Sequence, residues 1–138
     1  MIKKNILVTG AGGYIGTSLV DQLLEAGNKV TGLDLYFFGT VLLRGTENNF
    51  NFKLLKMDIR DLGEEELAGI DVVCDLAALS NDPCGDLDED LTYSINHLGR
   101  ANLACLAKKA GVRQYILASS CSVYGSVSYT HLTLPTKA

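Results

Sequence analysis

The sequence predicts an α/β fold built on a parallel sheet. Three observations carry that expectation: short apolar runs alternate with helical or loop segments, a cluster of glycines separates the first run from the first helical pattern, and an acidic residue closes the second run. Strands that alternate with helices are joined by right-handed crossovers, which lay the strands parallel and place the helices over the sheet.

The first strand is Asn5 to Thr9, a continuous apolar run too short for a helix, with Gly10, Gly12, Gly13 and Gly16 directly behind it. Ile15, Leu19, Val20, Leu23 and Leu24 then recur at helical spacing until Gly27 stops the helix. Lys29 to Asp34 gives the second strand, Phe52 to Met57 the third and Asp71 to Leu76 the fourth, each with β-branched or aromatic content. Between the second and third, Tyr36 to Asn51 has no regular period and contains FFG and ENN, which predicts an exposed loop. Leu91, Ile95, Leu98, Cys105 and Leu106 predict one buried face of a helix that ends at Gly111. Gln114 to Ala118 is the fifth strand, and its run from Tyr115 to Leu117 is expected to form a partly uncovered apolar edge. Asp75 interrupts the fourth strand, where a buried charge needs a partner; the pattern supplies none and assigns it no role.

The chain has 138 residues, enough for a single core, and with 47% hydrophobic and 20% charged residues it falls in the ordinary globular class. Its 12 basic and 16 acidic residues leave a net charge of −4, and the lysines and arginines are scattered, so nucleic acid is not an expected partner. No apolar run approaches the roughly 18 to 20 residues of a membrane helix. The stretch Ile6 to Val8 is shorter than the roughly 7 to 15 residues of a secretory core, so a cytoplasmic location is expected. Cys74, Cys84, Cys105 and Cys121 have neither disulfide-framework nor zinc spacing and are read as reduced thiols, mostly filling the core. The acids of GDLDEDL, Asp86, Asp88, Glu89 and Asp90, gather at a helix start, where they complement the dipole; no metal site is expected.

TGAGGYIG spaces its glycines as Gly10, Gly13 and Gly16. The first permits a sharp exit from the strand, the second lets backbone approach a diphosphate, and the third lets the helix pack against the sheet. The helix that opens at Tyr14 and Ile15 offers free N–H groups and the positive end of its dipole, so Gly10, Gly13, Tyr14, Ile15 and Gly16 are the candidate diphosphate-binding residues. Asp34 lies 18 residues beyond Gly16, close to the roughly 20-residue spacing of an acid that binds the adenosine ribose. A carboxylate there would repel a 2′-phosphate, and neither Leu35 nor Tyr36 offers the arginine that a phosphate would want. NAD is therefore favoured over NADP.

TGAGGYIG, Asp34, MDIRD (Met57 to Asp61), LAALS (Leu76 to Ser80), SINHLG (Ser94 to Gly99) and SSCSVYG (Ser119 to Gly125) follow one another in the order found in the extended short-chain dehydrogenase/reductases. From Lys4 to Gly125 the chain resembles the NAD-dependent sugar-nucleotide epimerase/dehydratase branch of that superfamily. The resemblance implies a Rossmann-type doubly wound parallel sheet of order 3-2-1-4-5, truncated after the fifth strand. It implies that Asp58 (side chain) and Ile59 (backbone) hold the adenine, that Ala77 and Ala78 leave room for the cofactor, and that Asn96 lies near the nicotinamide. Asp58 also reads as a helix cap, and the two roles are compatible. Ser120 stands where the family carries the Ser or Thr that hydrogen-bonds the reacting sugar oxygen. The related dehydratases carry acids at the next two positions. Cys121 and Ser122 stand there in this chain, which argues against dehydration and leaves epimerisation or reduction of a nucleotide-linked sugar. A homodimer is the expected assembly.

The family's acid/base is a tyrosine whose phenol is made more acidic by a lysine one helical turn later. Four residues beyond Tyr14, Tyr36, Tyr93, Tyr115, Tyr124 and Tyr129 lie Ser18, Thr40, His97, Ser119, Ser128 and Thr133, none of them lysine. The ten residues from Val127 to Thr136, VSYTHLTLPT, are similar to one reading frame of a transposon-end adapter used in sequencing libraries. The expected organisation is accordingly an incomplete NAD-binding domain at 1–126 and a non-native tail at 127–138, with the substrate domain absent. The fragment is expected to be inactive. A non-catalytic NAD-binding module is the alternative from another class.

Overall fold

The computed structural model describes residues 3–43, 45, 46, 48–80 and 87–120. Five strands, β1 (Asn5–Thr9), β2 (Lys29–Asp34), β3 (Phe52–Lys56), β4 (Val72–Asp75) and β5 (Gln114–Leu117), form one sheet of order β3-β2-β1-β4-β5. Every neighbouring pair is parallel: Leu7 of β1 stands between Thr31 and Val73, and Cys74 of β4 faces Ile116. The observed order matches the doubly wound expectation, and the strands lie within a residue of the predicted spans.

Alternation along the strands divides the core in two. Ile6, Val8, Val30, Val72 and Cys74 face α1 (Tyr14–Glu25), where Val20 and Leu24 meet them. Leu7, Leu33 and Val73 face the other way, onto Ile59, Leu62, Leu67 and the helical segment that ends in Leu103 and Ala107. Leu7, Val8, Val73 and Leu103 are wholly buried, and burial of each such side chain contributes roughly 1.5–3 kcal/mol.

The connection from β4 to β5 contains one continuous helical run: α2 (Glu89–Tyr93), a π-helical stretch at Ser94–Gly99, and α3 (Arg100–Lys109). Its buried face differs from the predicted one. Ile95, Gly99, Leu103, Leu106 and Ala107 turn inward, whereas Leu91, Leu98 and Cys105 are exposed. A π turn holds one extra residue, so the inward position after Ile95 moves from Leu98 to Gly99. There the helix approaches so closely that a β-carbon at Gly99 would press on the side chains of Ile59 and Arg60 at 3.2 and 3.3 Å. Cys74 is core filler as expected, but Cys105 is not; Cys84 and Cys121 lie outside the described residues.

The irregular connection after β2 is exposed at Phe37, Phe38 and Phe50, as its composition predicts, yet it contains a single helical turn at Val41–Leu43 whose Leu43 is fully buried. β5 is the outer strand on its side, with Ile116 and Leu117 about half exposed, which is the open apolar edge anticipated from the sequence. No helix among the described residues is long and apolar enough to cross a membrane.

Candidate functional site

All five strands point their C-terminal ends to one edge of the sheet. The chain leaves β1 for β2 on one side and later enters β4 on the other, so a crevice opens at that edge between β1 and β4. Ligands of open α/β sheets bind at such a switch point.

The glycine loop fills this position. Gly10 has φ +69°, a left-handed conformation that a side chain resists, and a β-carbon on it would press on Leu76 and the Ala77 nitrogen at 2.9 Å. Gly16 faces the loop from the first turn of α1; a β-carbon there would collide with the carbonyl oxygen of Gly10. Gly13 N-caps α1 from an extended conformation with no side-chain cap, so no side chain blocks the first amides of the helix. The first intrahelical bond runs from Thr17 N–H to Gly13 C=O at 3.0 Å. Tyr14 and Ile15 project outward, 91% and 64% exposed.

Asp34, the last residue of β2, brings its carboxylate to this loop. One oxygen accepts from Gly12 N–H at 3.1 Å and the other from Tyr36 N–H at 2.7 Å. Tyr36 is buried beneath the loop in a left-handed conformation, φ +52°, and its phenol donates to Gly32 C=O at 2.7 Å. Burial, with the Asp34 carboxylate as a smaller cause, pushes that phenol well above its ordinary range.

Asp58 caps the turn Ile59–Asp61. Its carboxylate accepts from Arg60 N–H at 2.9 Å and from the Arg60 guanidinium at 2.9 and 2.7 Å, and the bonds from Arg60 hold it below the usual carboxylate range. Ile59 is buried in the second core. Arg60 continues to Ser94 Oγ at 3.2 Å, which ties this turn to the π-helical stretch. Asn96, two residues on, grips the chain after β4 by both ends of its amide, accepting from Leu79 N–H at 2.8 Å and donating to Leu79 C=O at 2.9 Å. Ala77 is half-buried and Ala78 exposed along that same stretch. Ser120 lies exposed beyond the end of β5.

The structure thus brings Asp34 onto Gly12 and sets Gly10 against Leu76 and Ala77 at the same sheet edge, with Asn96 holding the chain after β4 through Leu79. It also supplies the partners that the sequence left unassigned. Asp75 is fully buried, and its carboxylate accepts from Thr9 Oγ1 at 2.8 Å, Tyr115 Oη at 2.7 Å and Arg100 Nε at 3.0 Å. Arg100 and Thr9 were missed because their contacts with Asp75 exist only once the sheet is assembled. The buried acid itself was the available signal. Among the described residues no cluster of His, Cys, Asp or Glu could hold a metal ion.

A family profile described as NAD dependent epimerase/dehydratase matches residues 6–137. The chain belongs to that family. It is 38% identical over 128 residues to a UDP-glucose 4-epimerase of Mycolicibacterium smegmatis, an alignment covering 87% of this chain and 40% of the relative. Its fold is similar to that of a UDP-N-acetylglucosamine 4-epimerase from Methanobrevibacter ruminantium, with a TM-score of 0.85, 31% identity, and coverage of 99% of this chain and 43% of the other. It is similar also to the dTDP-glucose 4,6-dehydratase DesIV from Streptomyces venezuelae, solved with NAD bound: TM-score 0.84, 29% identity, 90% of this chain and 42% of that one. The chain therefore spans about two fifths of the length of these relatives.

NAD is the cofactor of this family. The residues present fit it. Bare backbone at Gly10 and the uncapped start of α1 suit a diphosphate. A carboxylate offers about four lone-pair sites. Asp34 commits two of them to backbone N–H groups, which leaves acceptors for ribose hydroxyls.

Proposed function

We propose that this chain is the cofactor-binding portion of an NAD-dependent enzyme that epimerises a nucleotide-diphosphate sugar through a transient keto intermediate. The observation that carries the reading is the Asp34 carboxylate fixed against the glycine loop at the switch point of the sheet. NAD, when bound, supplies the hydride acceptor and donor for that chemistry. The chain's own residues prepare its seat: the first amides of α1 face the diphosphate, Asp34 accepts from the ribose, and Ala77 and Ala78 keep the crevice open. Asn96 holds the wall by its bonds to Leu79. Asp58 and the Ile59 backbone border the adenine. Ser120 hydrogen-bonds the reacting sugar oxygen and orients it.

In this reading the proton-moving tyrosine with its lysine and the domain that selects the sugar correspond to the part of the relatives' length that this chain does not span. The family profile runs to residue 137, but residues 121–138 lie outside the described part, including Cys121 and Ser122, whose lack of acidity supports epimerisation over dehydration.

The deciding experiment uses the full-length protein. Titration with NAD should give saturable binding, and incubation with a UDP-hexose should interconvert two epimers with no net change in NADH. Net NADH oxidation would replace the epimerase by a reductase. Binding of NAD without turnover would favour a regulatory module. Absence of any NAD binding would end the functional reading.

A further inference from the structure

The Asp75 cluster lies at the C-terminal ends of β1, β4 and β5, against Thr9, Leu76 and Ala77. Arg100 reaches it from the helix: Nε bonds the Asp75 carboxylate at 3.0 Å, while Nη2 donates to Asp75 C=O at 3.2 Å and to Ala118 C=O at 2.9 Å. One planar guanidinium thus holds the ends of β4 and β5 together. Ala118 is two residues before Ser120. On the other side of the carboxylate, Thr9 donates its hydroxyl proton to Asp75 at 2.8 Å and accepts from Leu76 N–H and Ala77 N–H at 3.2 Å each. Tyr115 Oη closes the remaining side at 2.7 Å.

A buried ion pair is a poor way to stabilise a sheet, because desolvation cancels most of its attraction, and a packed apolar pair often does as well. What such a pair supplies is fixed geometry. Apart from the Tyr115 phenol, the side-chain partners of Asp75 and Arg100 are each other, the carbonyls of residues 75 and 118, and Thr9, whose hydroxyl holds the amides of residues 76 and 77.

We propose that Asp75 and Arg100 are positioning residues: together they set the separation between the cofactor-facing chain at 76–78 and the arm that carries Ser120. This rests on the reading of Ser120 given above. Neither residue touches substrate. A lysine at position 100 would keep the charge but could not span two carbonyls and a carboxylate at once, since an ammonium lacks the planar fork.

The test is R100K in the full-length protein, followed by amide hydrogen exchange and steady-state kinetics. Protection of the Leu76, Ala77 and Ala118 amides should fall by about tenfold or more, while that of Ile6, Leu7 and Val8 at the sheet centre stays unchanged. The value of kcat should fall about 10- to 100-fold with KM for the sugar nucleotide and NAD affinity changed less than about threefold. Should R100K fail to fold, D75N takes its place with the same expected pattern. Unchanged protection at all three amides, or an equal loss throughout the sheet, would overturn the proposal. So would normal kcat per folded molecule. If the wild-type protein shows no NAD-dependent turnover, only the functional reading falls, and the exchange pattern still decides the positioning role.

Discussion

Two aspartates end two strands of the same sheet, and their surroundings could hardly differ more. Asp34 closes β2 half-buried, its two oxygens accepting from the backbone N–H groups of Gly12 and Tyr36. Asp75 closes β4 with no exposure at all, enclosed by Thr9, Tyr115 and Arg100. Position in the topology is shared; what differs is the element overhead. A glycine loop whose one side chain, the Ala11 methyl, is turned into the core covers Asp34 and leaves it half-buried, whereas α3 delivers an arginine onto Asp75 and removes it from reach. The contrast separates a half-buried carboxylate, the proposed ribose acceptor, from one wholly enclosed by the protein.

The sharpest break of that comparison exchanges the losses. D75A leaves the Arg100 guanidinium without its carboxylate in a largely buried setting, and removal of one partner of such a pair typically costs about 3–5 kcal/mol. Urea denaturation should register that loss, and the double variant D75L/R100M should recover much of it while remaining defective in turnover. D34A should do the reverse: it removes two backbone hydrogen bonds from a half-buried carboxylate whose partners water can reach, so stability falls by about 1–2 kcal/mol, less than in D75A. Cofactor affinity should fall by about 10- to 100-fold, as measured by NAD titration, because hydrogen bonds to a charged group contribute about 1.5–3 kcal/mol. Equal stability losses in the two variants would erase the distinction.

A second break targets the loop that makes Asp34 accessible. G16A places a β-carbon against the Gly10 carbonyl, backbone that cannot swing aside as a flexible side chain would. Overpacking of this kind typically costs about 1–3 kcal/mol. The displaced loop should also lose Gly12 N–H from Asp34, so calorimetry and NAD titration should both report the change. Retention of wild-type affinity would mean that the loop tolerates a wider helix–strand gap.

The two aspartates also mark how far the sequence could be read. Asp34 was legible because its context is local: a strand, a glycine turn and a helix precede it at a fixed spacing. The strands and their parallel arrangement followed from the alternation of short apolar runs, and the sheet order from the family resemblance. Asp75 was conspicuous but unreadable. Its cation stands 25 residues later on a helix whose phase the pattern misplaced, because the π turn at Ser94–Gly99 shifts the inward face by one residue. Leu43 was lost for a related reason: a single apolar residue in an aperiodic loop gives no sign that the loop folds back onto the core.

The smallest expected effect concerns the tyrosines that flank the two acids. Tyr36 donates its backbone N–H to Asp34, and Tyr115 donates its phenol to Asp75. Burial raises both phenols above their ordinary value of 10.0, helped at Tyr115 by its hydrogen bond to the Asp75 carboxylate. In each case the folded chain keeps its proton to higher pH than the unfolded chain does. Their contribution is therefore complete below pH 10 and declines as pH rises above it, because the unfolded state then releases protons that the native state retains. Denaturation midpoints should be flat in this respect up to about pH 9.5 and fall beyond it. Y36F should remove part of that alkaline slope with little effect on Asp75, since its phenol bonds only Gly32 C=O. Y115F should remove a similar part and also leave the Asp75 carboxylate one donor short; a bond to a charged group contributes about 1.5–3 kcal/mol against about 1 for the neutral Tyr36–Gly32 bond, so Y115F should lower stability at neutral pH more than Y36F does. Identical behaviour of the two variants at neutral pH would mean that the carboxylate on β4 depends on Arg100 and Thr9 alone.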